Sequence, residues 1–141
     1  MARASLPWLE RVPTPSYVID LARLRQNLAI LKDIEETTGA HVLLAQKCFS
    51  MYSLYPLIGA YLSGTTASGL YEARLGHEEM GKENHVFSPA YRAEDMAELV
   101  TITDHIVFNS LSQWRRFGAQ AQAAGVSCGL RINPECSTQE H

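Results

Sequence analysis

Two alternating rhythms of apolar and polar residues run along the chain. Leu21, Leu24, Leu28, Leu31 and Ile34 recur at steps of three and four, the spacing that lines one face of an α-helix. Asp20 stands where an N-cap belongs and Gly39 where a helix stops. The aliphatic stretch from His41 to Gln46 then reads as a short buried strand. The same pair of patterns returns. Ser53 is placed to cap a helix that tolerates Pro56 in its first turn and buries Leu57, Ile58, Tyr61 and Leu62. A threonine-rich strand over 64–67 leads through Ser68, a candidate cap, into a helix over 70–80 ended by Gly81. Strands over 85–88, 105–108 and 127–132 alternate with helices over 93–102 and 111–124. Ser110 with Gln113 forms a capping box for the last helix and Gly125 terminates it. Ahead of all this, Tyr17–Ile19 is a brief strand signal, and the proline-flanked lead of residues 1–13 has no periodicity and is expected to be poorly ordered.

Strand starts near 41, 64, 85, 105 and 127, each followed by an amphipathic helix, predict an α/β fold with a parallel sheet of βα units. No repeat of sequence accompanies this period, so it is architectural. An open doubly wound sheet and part of an eight-fold barrel both accept it. The missing GxGxxG after the first strand weakens the dinucleotide-binding form of the open sheet.

Composition narrows the functional classes. With 141 residues, 46% apolar and 19% charged, the chain can bury one ordinary core. A net charge of −3 without a basic cluster argues against nucleic acid. No apolar run approaches the roughly 20 residues that span a bilayer, and the amino terminus lacks a signal-peptide core, so no membrane and a cytoplasmic location are expected. Cys48, Cys128 and Cys136 form no CxxC and are expected to be free thiols, with no metal site.

In either parallel architecture the active face lies at the carboxyl ends of the strands. The residues there are Lys47, Ser68, Ser88, Asn109 and Arg131. Lys47 closes an apolar strand between Leu44 and Phe49, where partial desolvation would favour a neutral amine able to attack a carbonyl; a strand-end lysine that merely reaches water is the plainer alternative. Arg131, flanked by Leu130 and Ile132, requires an anionic or acceptor partner. The three remaining residues serve equally as turn formers or helix caps. Elsewhere, His77, Glu78, Glu79 and His85 lack HExxH spacing and read as a charged helix face and loop. Glu94, Asp95 and Glu98 suit a helix start, and Trp114 and Phe117 read as core.

The segments TPSYVID, LLAQKCF, TTASGLYEARLG, HVFSPAYR, DHIVFNSLSQW and CGLRINPE, in this order and at these spacings, resemble the amino-terminal part of the carboxynorspermidine/carboxyspermidine decarboxylases. These are fold III pyridoxal-phosphate enzymes with an alanine racemase-like barrel. The resemblance runs from about Thr14 to Glu135. It implies the first five strands of a (β/α)8 TIM-type barrel, truncated, with residues 20–141 forming a partial cofactor-binding barrel. Residues 1–19 would be a lead whose strand joins a missing carboxy-terminal β domain. It further implies pyridoxal 5'-phosphate as cofactor, a polyamine substrate and a homodimer. Lys47 would form the Schiff base, Ser68 would lie on the strand beside the cofactor, and Arg131 would contact the ring near its phenolic oxygen. Some relatives carry an aspartate where Thr65 or Thr66 stands, so no role transfers to either threonine. An eight-fold barrel takes about 250 residues; the phosphate loop and the acid opposite the pyridine nitrogen would lie past position 141, and this stretch alone is expected to be inactive and to bind cofactor poorly. Alternatives are another fold III decarboxylase or racemase, for diaminopimelate, ornithine or alanine, and a non-catalytic cofactor-binding protein. Residues 1–19 are expected to be extended and exposed, and Val42–Gln46 with Leu130–Ile132 to be the most buried backbone.

Overall fold

The structure, a computed structural model, describes residues 7–136; expectations for residues 1–6 and 137–141 lie outside the described residues. Five strands, β1 (Leu43–Ala45), β2 (Gly64–Ala67), β3 (Glu83–Phe87), β4 (His105–Phe108) and β5 (Ser127–Leu130), form one sheet in the order β1-β2-β3-β4-β5. Every pairing is parallel. Helices α1 (Leu21–Thr38), α2 (Tyr55–Gly59), α3 (Leu70–Glu79), α4 (Ala93–Ile102) and α5 (Leu111–Ala123) precede or connect the strands. This is the βα array of part of a barrel. No helix among the described residues is long and apolar enough to cross a membrane.

Local chemistry accounts for most boundaries. The Asp20 carboxylate accepts the amides of Ala22 and Arg23 at 2.9 and 3.1 Å, so α1 starts there. At the other end Gly39 adopts a left-handed φ of 71° and closes α1. Ser110 Oγ accepts from Gln113 N at 3.2 Å while Gln113 Oε1 accepts from Asn109 N at 2.8 Å, fixing the start of α5. Two expected caps differ. Ser53 lies inside a 3-10 turn, Tyr52–Leu54, and α2 begins only at Tyr55 behind Leu54, because Pro56 takes the first turn. Ser68 does not cap α3: Gly69 holds that position, and Ser68 N donates to Glu72 Oε2 at 2.6 Å.

Side chains alternate across the sheet, and the helix-facing set builds the core. Ala67, Val86, Ile106 and Phe108 pack beneath Ala73, Met96, Leu99, Phe117 and Ala121. Phe108 lies edge-on to Trp114, with ring centroids 5.6 Å apart, which places both expected aromatics of α5 in or against the core. A second cluster of Leu28, Tyr55, Ile58 and Leu62 lies between α1, α2 and β1. A buried polar row interrupts the apolar layer under α3: Gln46, Thr65 and Asn84, each 1% exposed. Asn84 Nδ2 donates to Ala73 O in α3 at 2.9 Å and to Ile102 O in α4 at 2.8 Å, while its Oδ1 accepts from Thr65 Oγ1 at 3.1 Å. Helix α3 approaches this row closely because position 76 is glycine. A Cβ there would collide with Thr65 Oγ1 and come within 2.9 Å of Gln46 Nε2.

The most buried backbone is not where the sequence placed it. Burial is densest in β2, where Gly64, Thr65 and Ala67 are buried, whereas Val42–Ala45 are half-buried, Leu130 is 42% and Ile132 80% exposed. Among the described residues strand β5 pairs only with β4, so it is a sheet edge, and it ends at Leu130 instead of continuing to Ile132. Tyr17–Ile19 form no strand; Tyr17 is 94% exposed and the segment finds no partner in the sheet. Within the lead, Pro7–Arg11 make a 3-10 turn.

Gly76→Ala should lower stability by about 1–3 kcal/mol, the usual cost of forcing extra atoms into a packed layer. Urea unfolding followed by circular dichroism checks this: an unchanged midpoint would mean that α3 does not rest on the Gln46–Thr65–Asn84 row.

Candidate active site

Registration of the strands fixes which residues share the face opposite the helices. Cross-strand partners Ala45, Thr66 and His85 lie on it, as do His105, Ser127 and, two residues on, Phe87. At the carboxyl ends, continuation of this alternation puts Lys47, Ser68, Asn109 and Arg131 on the same side. Arg131 N still pairs with Phe108 O at 2.9 Å, one residue past the end of β5. Its guanidinium donates through Nη1 to Asn109 Oδ1 at 3.2 Å and stacks over the Phe87 ring, with Cζ 5.4 Å from the centroid. Two expected strand-exit residues are thus joined, and Phe87 is a third participant that polarity alone did not signal. Alternation from His85 would have revealed it.

Lys47 sits in the turn after β1 and is exposed. The expected desolvation by Leu44 and Phe49 is not present, because both pack away from it against the α1–α2 cluster. The backbone around it is held instead. Gln46 N donates to Thr66 O at 3.2 Å, and Cys48 N and Phe49 N both donate to Ala45 O, at 3.0 and 3.3 Å. Ser68 is exposed beyond β2. Ser88 is committed to its turn: its hydroxyl donates to Ala90 O at 2.9 Å and its amide to Tyr91 Oη at 3.0 Å. Tyr91 Oη lies 2.9 Å from Val107 O and 3.3 Å from Val86 O, tying the exits of β3 and β4 together. Burial pushes the Tyr91 hydroxyl up to about 12, so it remains a donor.

At the opposite, amino-terminal end of this face lies a charged layer that sequence pattern missed. His85, expected at the first position of a strand, lies two residues inside β3, which begins at Glu83. Glu83 Oε1 bonds His85 Nε2 and Glu83 Oε2 bonds His41 Nδ1, each at 2.6 Å. The His85 and His105 rings approach to 4.9 Å between centroids, and His105 Nδ1 lies 2.9 Å from Ser127 Oγ. Burial, followed by the charge of His85, holds His105 below its ordinary value of 6.5. For Glu83, burial acts to raise the carboxyl, but the bonds from His85 and His41 more than offset it and the net displacement is downward.

No protein-family model matches the chain. It is 42% identical over 131 residues to carboxyaminopropylagmatine decarboxylase of Synechocystis, covering 93% of this chain and 34% of that protein. It is 43% identical over 126 residues to the carboxynorspermidine/carboxyspermidine decarboxylase of Herminiimonas arsenicoxydans, covering 89% and 34%. The crystal structure of carboxynorspermidine decarboxylase from Campylobacter jejuni, complexed with norspermidine, matches with a TM-score of 0.85 at 41% identity, over 89% of this chain and 34% of that one. The chain therefore spans about a third of the length of the curated relatives it matches. Its resemblance to the amino-terminal part of the carboxynorspermidine/carboxyspermidine decarboxylases is present in both sequence and fold.

The charged layer generates a pH dependence of determined sign. His105 is depressed in the folded state, so its contribution is intact above 6.5 and declines as pH falls below that value. Glu83 is depressed as well, so its contribution is present above 4.5 and is lost as pH falls through its lower folded value. Acidification should therefore destabilise the fold in two stages. Denaturant titrations at stepped pH should show the first stage disappear in His105→Gln; a variant that keeps it would place the proton elsewhere.

Proposed function

We propose that this chain carries the lysine side of the active site in a pyridoxal-phosphate-dependent decarboxylase that converts carboxynorspermidine or carboxyspermidine into norspermidine or spermidine. The observation that carries the reading is Lys47 at the carboxyl exit of β1, in a sheet that superposes on a norspermidine-bound decarboxylase with a TM-score of 0.85. The assembled protein is proposed to be a cytoplasmic homodimer, with the remaining barrel strands supplied beyond the described residues.

The residues present suit this cofactor. Lys47 offers an exposed primary amine on a backbone fixed on both sides, as an aldehyde requires. Arg131 offers a guanidinium already oriented by Asn109 and Phe87, suited to the anionic phenolic oxygen. When bound, pyridoxal phosphate supplies a carbonyl for amine exchange and a ring that takes up the electron pair left by departing CO2. Lys47 Nζ would hold the cofactor and, once freed by a substrate amine, would be placed to move a proton. Arg131 would hold the ring region, and Ser68 would border the cofactor from the exit of β2. Thr65 takes no part: its hydroxyl faces the helices and is bound to Asn84. A second reading, decarboxylation of carboxyaminopropylagmatine, is favoured by the 42% identity to the Synechocystis enzyme over 93% of this chain.

In the complete protein, Lys47→Ala and Lys47→Arg should both reduce decarboxylation to background and abolish the borohydride-fixed cofactor adduct, since arginine does not give up its proton to attack a carbonyl. Retained turnover in Lys47→Arg would overturn the covalent role. Assay of the unaltered protein with the three carboxylated amines separates the two substrate readings. Arg131→Met should weaken cofactor retention roughly tenfold or more, the loss expected for a charge-assisted contact of about 1.5–3 kcal/mol. The melting temperature of this variant should hardly move, because residue 131 is exposed at a sheet edge and methionine can still lie against the Phe87 ring; equal loss of both would make the arginine structural.

A further inference from the structure

We propose that Gln46 and Tyr55 are positioning residues for Lys47, acting as a buried tether beneath the turn that carries it; the inference rests on the role of Lys47 proposed above. Gln46 directly precedes the lysine and is 1% exposed, and Tyr55, from the start of α2, is fully buried. The Tyr55 hydroxyl lies 3.3 Å from Gln46 Oε1 and 3.4 Å from Phe49 O, so one donor spans the residue before Lys47 and the second residue after it. Together with the Gln46–Thr66 and Ala45–Phe49 backbone bonds, this makes the turn an arch whose two feet meet at a single hydroxyl. Lys47 is at its crown. Burial, then the charges of Glu72 and Cys48, pushes the Tyr55 hydroxyl upward, which keeps it a donor.

The other half of the Gln46 amide gives the tether its significance. Nε2 is buried with no hydrogen-bond partner among the described residues, and it sits against Gly76 of α3. A buried donor left unpaired weakens a fold, and an apolar side chain of equal length would avoid the penalty. What the amide contributes in return is its oxygen, which receives Tyr55. Stability given up beside a reactive group is the pattern expected where geometry serves chemistry.

The test uses the complete, cofactor-loaded protein and the variants Tyr55→Phe and Gln46→Met. Melting temperature, kcat, KM and the pH dependence of borohydride-fixed adduct on Lys47 are measured. Amide hydrogen exchange over residues 46–49 is followed in the cofactor-free protein. Gln46→Met should melt at or above the parent temperature. Both variants should lose about tenfold in kcat with KM nearly unchanged, as a displaced reactive group does. Exchange over 46–49 should quicken, and half-maximal adduct formation should move in pH. If Lys47 carries no adduct in the unaltered protein, the role of Lys47 fails and the tether with it. If the adduct is on Lys47 and both variants match the parent in kcat, exchange and pH profile, the tether alone is overturned. Lower melting temperatures with proportionate loss of active sites, and an unmoved pH profile, would also overturn it in favour of plain packing.

Discussion

The side chain of Asn84 is the constraint on which the rest of the structure depends. Its amide donates to a carbonyl in α3 and to another at the end of α4, and its oxygen accepts from Thr65 in the neighbouring strand. Two helices and two strands therefore meet at one residue that is 1% exposed. Apolar packing alone is non-directional and tolerates sliding of a helix over a sheet. A satisfied polar group in the same layer does not, because any displacement leaves buried donors unpaired. The glycine at position 76 completes the arrangement by letting α3 settle onto the polar row.

The sheet separates two kinds of chemistry along its open face. Histidines and Glu83 occupy the amino-terminal layer, linked in a chain from His41 to Ser127. The carboxyl exits carry Lys47, Asn109 and Arg131. The first layer links the strands through short hydrogen bonds whose strength varies with proton concentration. The second presents the amine of Lys47, the carboxamide of Asn109 and the guanidinium of Arg131. The histidine layer and the candidate site residues thus occupy opposite ends of the same strands, a division usual in barrels of parallel strands.

Much of this organisation is legible in the sequence, for identifiable reasons. Asp20 with the leucines of α1, and Ser110 with Gln113, carry their signals within a few residues, so both helix starts follow from local chemistry. Lys47, Asn109 and Arg131 follow from reading the residue after each strand. What the sequence conceals is whatever depends on register. Pairing of Gly64 with Glu83 starts β3 two residues early and brings Glu83 onto the same face as His85, which makes the charged layer. Phe87 contributes to the Arg131 site as a flat apolar surface, which no polarity rule detects. Leu130 and Ile132 look like core by composition, yet β5 is an edge, and no local signal distinguishes an edge strand from a central one.

The strand order has a consequence for synthesis of the protein. Among the described residues each strand from β2 onward pairs with the one before it in the chain, so these pairings need no distant segment. As the polypeptide leaves the ribosome, β2 can dock on β1, then β3 on β2, each with its helix already formed, and the loop closed at every step is only about 20 residues long. At every stage the most recently added strand is the growing edge, as β5 is here, with Leu130 and Ile132 bare. Assembly thereby acquires a direction, in which the turn carrying Lys47 and the helix α2 behind it are translated long before the edge that carries Arg131.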